Sequence, residues 1–292
     1  MINLEEINSL IEQGLVQKKP FENGLSVYKY KNKVFYDNLW HLSPQLNYCR
    51  GLVLDEEGEV VIWPFTKIYN RFENGTDLPL DEDVVSVQKM NGFMASCSLH
   101  NGELVVSTTG SLTSPHCEMA KTYLSKLDVP YFNKKFTYLF EICSPEDPHI
   151  VEEDEGAYLI GVRVNQSGRM IKEDVLDDVA LWLGCKRPTW KECKFSDVVE
   201  DIKTCTHEGF VVRDVESGEL LLKIKSPYYL TRKFFMRGGD KKWDKLWDSP
   251  KEFKKTIDEE YYPVVEYLLT KEKEWWKSLN EQERKQELEK IF

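Results

Sequence analysis

The dipeptide Asn101-Gly102 constrains this chain more than any other two residues. It stands between Ala95-Ser96-Cys97-Ser98-Leu99 and Leu104-Val105-Val106-Ser107, two runs of period-two character. Asn-Gly takes the left-handed backbone that a tight hairpin turn demands, so the two runs are predicted to pair as antiparallel strands. The same punctuation recurs along the chain. Glu56-Glu57-Gly58-Glu59 turns Leu52–Asp55 back onto Val60–Trp63. Asn165-Gln166-Ser167-Gly168 closes Ala157–Val164, and Glu216-Ser217-Gly218-Glu219 joins residues 207–213 to Leu220–Lys225. Leu25–Tyr30, Lys33–Tyr36 and Phe136–Cys143 also read as strands. Helical spacing marks Leu4–Gln13, Pro115–Leu127 and Lys172–Leu183, and a further helix, capped by Ser196, is predicted to reach Lys203.

After Lys225 the hairpin signals stop. Asp240 to Phe292 is helix-forming, with Ser249-Pro250-Lys251-Glu252 as a helix start and Asn280–Phe292 as a charged, solvated terminal helix. The expected fold class is therefore α+β. An antiparallel-sheet domain over residues 1–238 is followed by a small all-helical domain over 239–292, divided at Gly238-Gly239.

Within this frame, Lys89 sits at a strand end and Gly92 three residues later lets a ligand approach the backbone closely. Such a lysine is a nucleophile if neighbouring cations and partial desolvation lower its pKa; most lysines are solvated surface charges. Arg50 precedes one strand of a hairpin and Lys67 follows its partner, which suits either an anion site or surface salt bridges. Glu141 lies inside an apolar strand and needs a partner or a ligand, because a bare buried carboxylate is costly. Lys223 and Lys225 share one face of their strand, and Glu208 precedes the partner strand. That set fits a polyphosphate with a divalent metal, or equally a solvent-facing lysine pair.

Composition narrows the classes. A hydrophobic content of 41% over 292 residues supports a sizeable core. A net charge of -11 argues against a general nucleic-acid coat but leaves room for a local basic groove. The seven cysteines show no Cys-x-x-Cys pairing, so reduced thiols in a cytoplasm are expected and a zinc site is not. No run is long enough to span a bilayer and no signal peptide is evident, so no membrane partner is expected.

Taken in order, Arg50-Gly51, Lys89-x-x-Gly92, Phe140-Glu141, Glu208-Gly209-Phe210-Val211 and Lys223-Ile224-Lys225 resemble the covalent nucleotidyltransferase superfamily of ATP-dependent DNA and RNA ligases and mRNA capping guanylyltransferases. The resemblance is strongest to the phage RNA ligase 1 family. Lys67-Ile68-Tyr69-Asn70 and Lys223-Ile224-Lys225-Ser226-Pro227-Tyr228-Tyr229 carry it, and it runs from about Leu25 to Tyr229. Two positions depart from that pattern. Asn91 replaces the usual aspartate before Gly92, and Thr109 precedes Gly110-Ser111 where a lysine is common.

The resemblance implies an antiparallel-sheet, ATP-grasp-like nucleotidyltransferase domain and an ATP-dependent RNA ligase. Lys89 would form a lysyl-AMP with ATP, aided by Lys223, Lys225 and Mg²⁺ or Mn²⁺, with like-charge repulsion lowering the pKa of Lys89. Arg50 and Lys67 would hold the triphosphate, Glu141 the ribose, and Phe210 or Val211 the adenine. Glu208 would hold the metal, with Asp258, Glu259 and Glu260 as loose candidates for a second ion. Tyr30 and Tyr229 are candidate nucleotide or RNA contacts. The partners would be RNA ends, single-stranded or in a broken tRNA loop, and single-stranded DNA as a further substrate, with the enzyme monomeric. Trp243, Trp247, Trp275 and Trp276 either pack the tail helices or stack on bases. The alternatives from the same superfamily are a capping guanylyltransferase or a DNA ligase, which usually append a β-barrel rather than helices. A non-catalytic RNA-end-binding protein is the alternative from another class.

Overall fold

The structure, a computed structural model, describes residues 1–257 and 261–291. The chain opens with helix α1 (Leu4–Glu12), strands β1 (Val16–Pro20) and β2 (Ser26–Tyr30), and short helices α2 (Asn32–Tyr36) and α3 (Gln45–Tyr48). The hairpin β3 (Arg50–Leu54) and β4 (Val60–Ile62) follows, then β5 (Asp83–Gln88), β6 (Phe93–His100), β7 (Glu103–Ser107) and α4 (Pro115–Leu124). Next come β8 (Phe136–Cys143), β9 (Gly156–Val164), α5 (Glu173–Leu183), β10 (Trp190–Lys194), α6 (Phe195–Asp201), β11 (Gly209–Asp214) and β12 (Leu220–Lys225). The remainder is helical: α7 (Pro227–Met236), α8 (Asp240–Asp248), α9 (Pro250–Lys254), α10 (Tyr262–Leu269), α11 (Lys273–Ser278) and α12 (Glu281–Glu289).

The strands form antiparallel sheets in the orders β1-β2-β3-β4, β10-β5-β11-β12 and β7-β6-β8-β9. Asn101 and Gly102 have φ of 51° and 83°, the left-handed turn that the β6–β7 hairpin requires. Helices α4 and α5 cover one face of β7-β6-β8-β9 and close a core that includes Phe140, Leu159, Ala120 and Leu183. The opposite face, carrying Met94, Glu141 and Ile160, looks across a cleft at β5, β11 and β12.

Several expectations change. Residues 33–36 are not a strand but lie in α2, because β1 and β3 already flank β2 and leave it no free edge. Val34 alone of that turn is buried in the core, while Phe35 and Tyr36 are exposed. Strand β1 escapes the sequence pattern because only Val16 of its five residues is buried; lysines and a proline are common on such edge strands. β10 is hidden for the same reason. Helix α6 starts one residue before Ser196, and Asp197 caps it by accepting from the Lys194 N–H at 3.2 Å.

The terminal helix is solvated on one side only: α12 exposes Glu281, Gln282, Glu283 and Gln286 but buries Arg284, Lys285 and Leu288. Fully burying one leucine contributes about 2 kcal/mol, enough to hold a highly charged helix in place. Trp243 and Trp276 are fully buried in the core of this helical region, which also takes in Tyr229 and Phe235 of α7 and Ile150 from the loop after β8. All seven cysteines are free thiols. Among the described residues no helix is long and apolar enough to cross a membrane.

Candidate active site

The cleft between the two larger sheets closes into a cavity of about 270 Å³, close to the ~300 Å³ lower end of small-molecule sites. Phe65, Ile68, Met94, Ile160, Val211 and Leu220 supply its apolar wall, and Arg50, Lys89, Glu141, Arg213 and Lys223 its charged groups. Two larger depressions, about 910 and 860 Å³, lie among surface loops and hold none of the predicted residues.

Strand β5 delivers Lys89 to the rim, where its N–H donates to the Gly209 carbonyl at 2.8 Å. Its ammonium lies 2.9 Å from Glu208 Oε2, and Glu208 Oε1 lies 3.0 Å from Lys225 Nζ. Asn91 donates its side-chain amide to Glu208 Oε2 at 2.7 Å. Burial alone would raise the Glu208 pKa, but Lys89 and Lys225 outweigh it and hold the carboxyl below its ordinary value.

Burial pushes Lys89 down, whereas Glu141 and Glu208 push it up, and the net direction is upward. The like-charge depression expected from sequence is thus reversed in the ligand-free protein, because two carboxylates stand closer to Lys89 than the sequence order reveals. Glu141 is raised, first by burial, and accepts from the Gly92 N–H at 3.2 Å. Lys223 is depressed, to about 8, by burial and then by Lys225, Lys67, Lys89 and Arg50.

Two glycines make this geometry possible. A Cβ on Gly92 would lie 2.2 Å from the Ile142 carbonyl oxygen, and one on Gly209, at φ +140°, would lie 2.1 Å from that of Ile224.

The predicted residues divide. Arg50, Lys89, Gly92, Glu141, Val211 and Lys223 line the cavity. Phe210 is on the opposite face of β11, packed against His207 with ring centroids 4.9 Å apart. Strand alternation permits only one of that pair to reach the cavity. Lys67 is paired with Glu73 at 2.9 Å and sits 4.8 Å over the Tyr69 ring. Tyr30 packs edge-on to Trp40 in the small N-terminal sheet, away from the cavity wall. Tyr229 packs into the tail-helix core with Lys225 Nζ 4.7 Å above its ring, and its hydroxyl hydrogen-bonds with Asn91 beside the nucleophile. Asp258, Glu259 and Glu260 lie outside the described residues.

Other contributors were not singled out from sequence. Arg213 is fully buried and paired with Glu173 at 2.8 Å. Four consecutive residues after β8 brace the nucleophile's loop. The Val151 N–H donates to Asn91 Oδ1 at 2.8 Å, and Glu153 accepts from the Asn91 N–H at 3.2 Å. Between them Glu152 pairs with Lys285 of α12, and Ile150 enters the helical core. Val151 and Glu153 reach Asn91 from 60 and 62 residues away, so no local pattern marks this run.

The family model described as RNA ligase matches residues 48–234, from just ahead of Arg50 into α7 and well over half of the chain. The chain belongs to this RNA ligase family. Among solved structures the ligase is similar to two forms of an archaeal ATP-dependent RNA ligase, at 17% identity with TM-score 0.61 and at 16% with TM-score 0.59. A putative ATP-dependent DNA ligase from Aquifex aeolicus matches at 12% identity and TM-score 0.60. Each comparison covers 99% of the ligase and 76% of the other chain, and at these identities the likeness is one of fold. No curated protein matches the ligase in sequence.

Among the described residues no three acidic, histidine or cysteine side chains gather tightly enough to hold a metal unaided. Glu208 and Glu141, both acting on Lys89, are nonetheless a hard-oxygen pair of the kind Mg²⁺ uses when phosphate oxygens and water complete its shell.

Proposed function

We propose that this ligase uses ATP and a divalent metal to join RNA ends through a lysyl-AMP intermediate on Lys89. The observation that carries the reading is Lys89 itself. It stands at the rim of a nucleoside-sized cavity, held by Glu208, with Lys223, Lys225 and Arg50 around it.

In the first step the Lys89 Nζ–Pα bond forms, the bond from Pα to the bridging oxygen breaks, and pyrophosphate leaves with its electron pair. The AMP is then passed to an RNA 5′-phosphate, and a 3′-hydroxyl displaces it to form the phosphodiester. The amine must be neutral to attack. Once both Glu208 and Glu141 turn to other partners, Lys89 keeps its burial and its cationic neighbours, and both favour the uncharged amine. Glu208 would hold the metal, which would neutralise phosphate oxygens in the transition state.

Arg50, Lys223 and Lys225 supply fixed positive charge where phosphoryl transfer depends on positioning and electrostatics. Met94, Ile160 and Val211, which line the cavity, would give the base an apolar slot, and Glu141 would accept from a ribose hydroxyl. The partners are RNA ends rather than long duplex, in keeping with a net charge of -11 and a local cation cluster.

Intact-mass measurement after incubation with ATP and Mg²⁺ tests the reading. The expected result is one AMP on the wild type, none on Lys89→Ala, and no adduct with GTP. An adduct that persists in Lys89→Ala, or none on nucleotide-free wild type, would overturn it.

A further inference from the structure

Arg50, which lines the cavity, has a second cation opposite it in the sheet. Lys29 of β2 is its direct partner across β3. Opposite residues of an antiparallel pair project from the same face about 5 Å apart, and like charges placed so destabilise a sheet. Neither residue has an ion pair or a side-chain hydrogen bond among the described residues. Two uncompensated cations in register, one of them lining the cavity, are an unmet demand for an anion.

The backbone there is shaped for close approach. The β2–β3 pairing skips Gly51, passing from Tyr28↔Leu52 to Lys29↔Arg50, and Gly51 has φ +96°. Such a bulge re-aims the neighbouring side chain. A Cβ on Gly51 would lie 2.9 Å from Thr109 Cα, so the turn Thr108–Ser111, closed by Thr108 N–H donating to Ser111 O at 3.0 Å, rests directly on the bulge. The stem of Lys29 runs along that turn: a Cβ on Gly110 would stand 3.5 Å from Lys29 Cδ and 3.6 Å from Nζ.

We propose that Lys29, Arg50 and the Thr108–Ser111 turn form a phosphate subsite beyond the phosphate that reacts with Lys89, with Lys29 as a substrate-positioning residue. The inference rests on the proposed function. Two phosphates of this chemistry are available, the pyrophosphate half of ATP and the 5′-phosphate of the RNA.

The test compares wild type, Lys29→Met and Lys29→Arg in three reactions: single-turnover adenylylation against ATP concentration, reversal of the AMP adduct by inorganic pyrophosphate, and sealing of pre-adenylylated RNA. Lys29 is exposed and opposes a like charge, so Lys29→Met should melt no lower than the wild type. Loss of one charge-assisted contact should raise the half-saturating concentration about tenfold with the maximal rate retained, and Lys29→Arg should restore it. An effect on ATP and pyrophosphate assigns the subsite to the leaving group, and an effect confined to pre-adenylylated RNA assigns it to the RNA end. Unchanged values in all three reactions, with the wild type adenylylated normally, would overturn the subsite. Failure of the wild type to form any adduct would instead overturn the reading beneath it.

Discussion

Asn91 presents its amide nitrogen to Glu208 Oε2 at 2.7 Å and its amide oxygen to the Val151 N–H at 2.8 Å. The two ends have opposite hydrogen-bonding character, and each is used. An aspartate could still accept from Val151, but would put a second carboxylate against Glu208.

Asn91→Asp should therefore destabilise the ligand-free protein by about 1–3 kcal/mol at pH 7. The paired carboxyls raise a folded-state pKa above its unfolded value. The cost is thus present above the folded pKa and disappears as pH falls below the unfolded one, near 4. Thermal melts of both proteins between pH 4 and 8 check this. A constant gap would mean that charge is not the cause.

Glu153 supplies a second pH signature. Burial, opposed by the Asn91 N–H, raises its carboxyl to about 6. The ionised form is disfavoured in the fold, so the penalty is full above pH 6 and absent below the ordinary value of 4.5. Glu153→Gln keeps an acceptor for Asn91 and should be more stable than wild type by up to about 1 kcal/mol above pH 6, with no difference at pH 4. Melting temperatures across that range decide it.

Lys223 should display a conflict between stability and function. Its pKa is lowered to about 8, by burial first and neighbouring cations second. A depressed lysine costs stability below its folded pKa, and the cost is gone above the unfolded value of 10.5. Lys223→Met should raise the ligand-free stability by about 1–3 kcal/mol at pH 7, with the gain shrinking above pH 8. Adenylylation should fall by about a hundredfold or more. Denaturant melts and single-turnover assays measure the two effects separately.

Gly92→Ala must move the nucleophile's loop, because the new methyl would meet the Ile142 carbonyl oxygen. Displacement of a reacting group by about 1 Å costs on the order of a hundredfold in rate. Adduct formation should fall by that amount while the protein stays folded, as judged by circular dichroism.

Much of this was legible in sequence where local chemistry fixes the answer. The hairpin at Asn101-Gly102, the strand-end position of Lys89 and the shared face of Lys223 and Lys225 follow from turn chemistry and a two-residue period. Edge strands β1 and β10 were not legible, because an edge has little apolar pattern to read. The protonation bias of Lys89 was hidden as well: it depends on Glu141 and Glu208, which lie 52 and 119 residues along the chain and meet the amine only across the fold. The replacement of a common lysine by Thr109 is visible in sequence. That Lys29 lies against the adjoining Gly110 is not, because the contact is made from a separate sheet.

Ile150 to Glu153 acquire a meaning from this wiring. Ile150 and Glu152 reach the tail helices, while Val151 holds the side-chain amide oxygen of Asn91 and Glu153 its backbone N–H. The segment is a short lever with one arm on α12 and the other on the loop of the reacting lysine. A path of direct contacts therefore joins α12 to the loop of Lys89 without passing through the cavity.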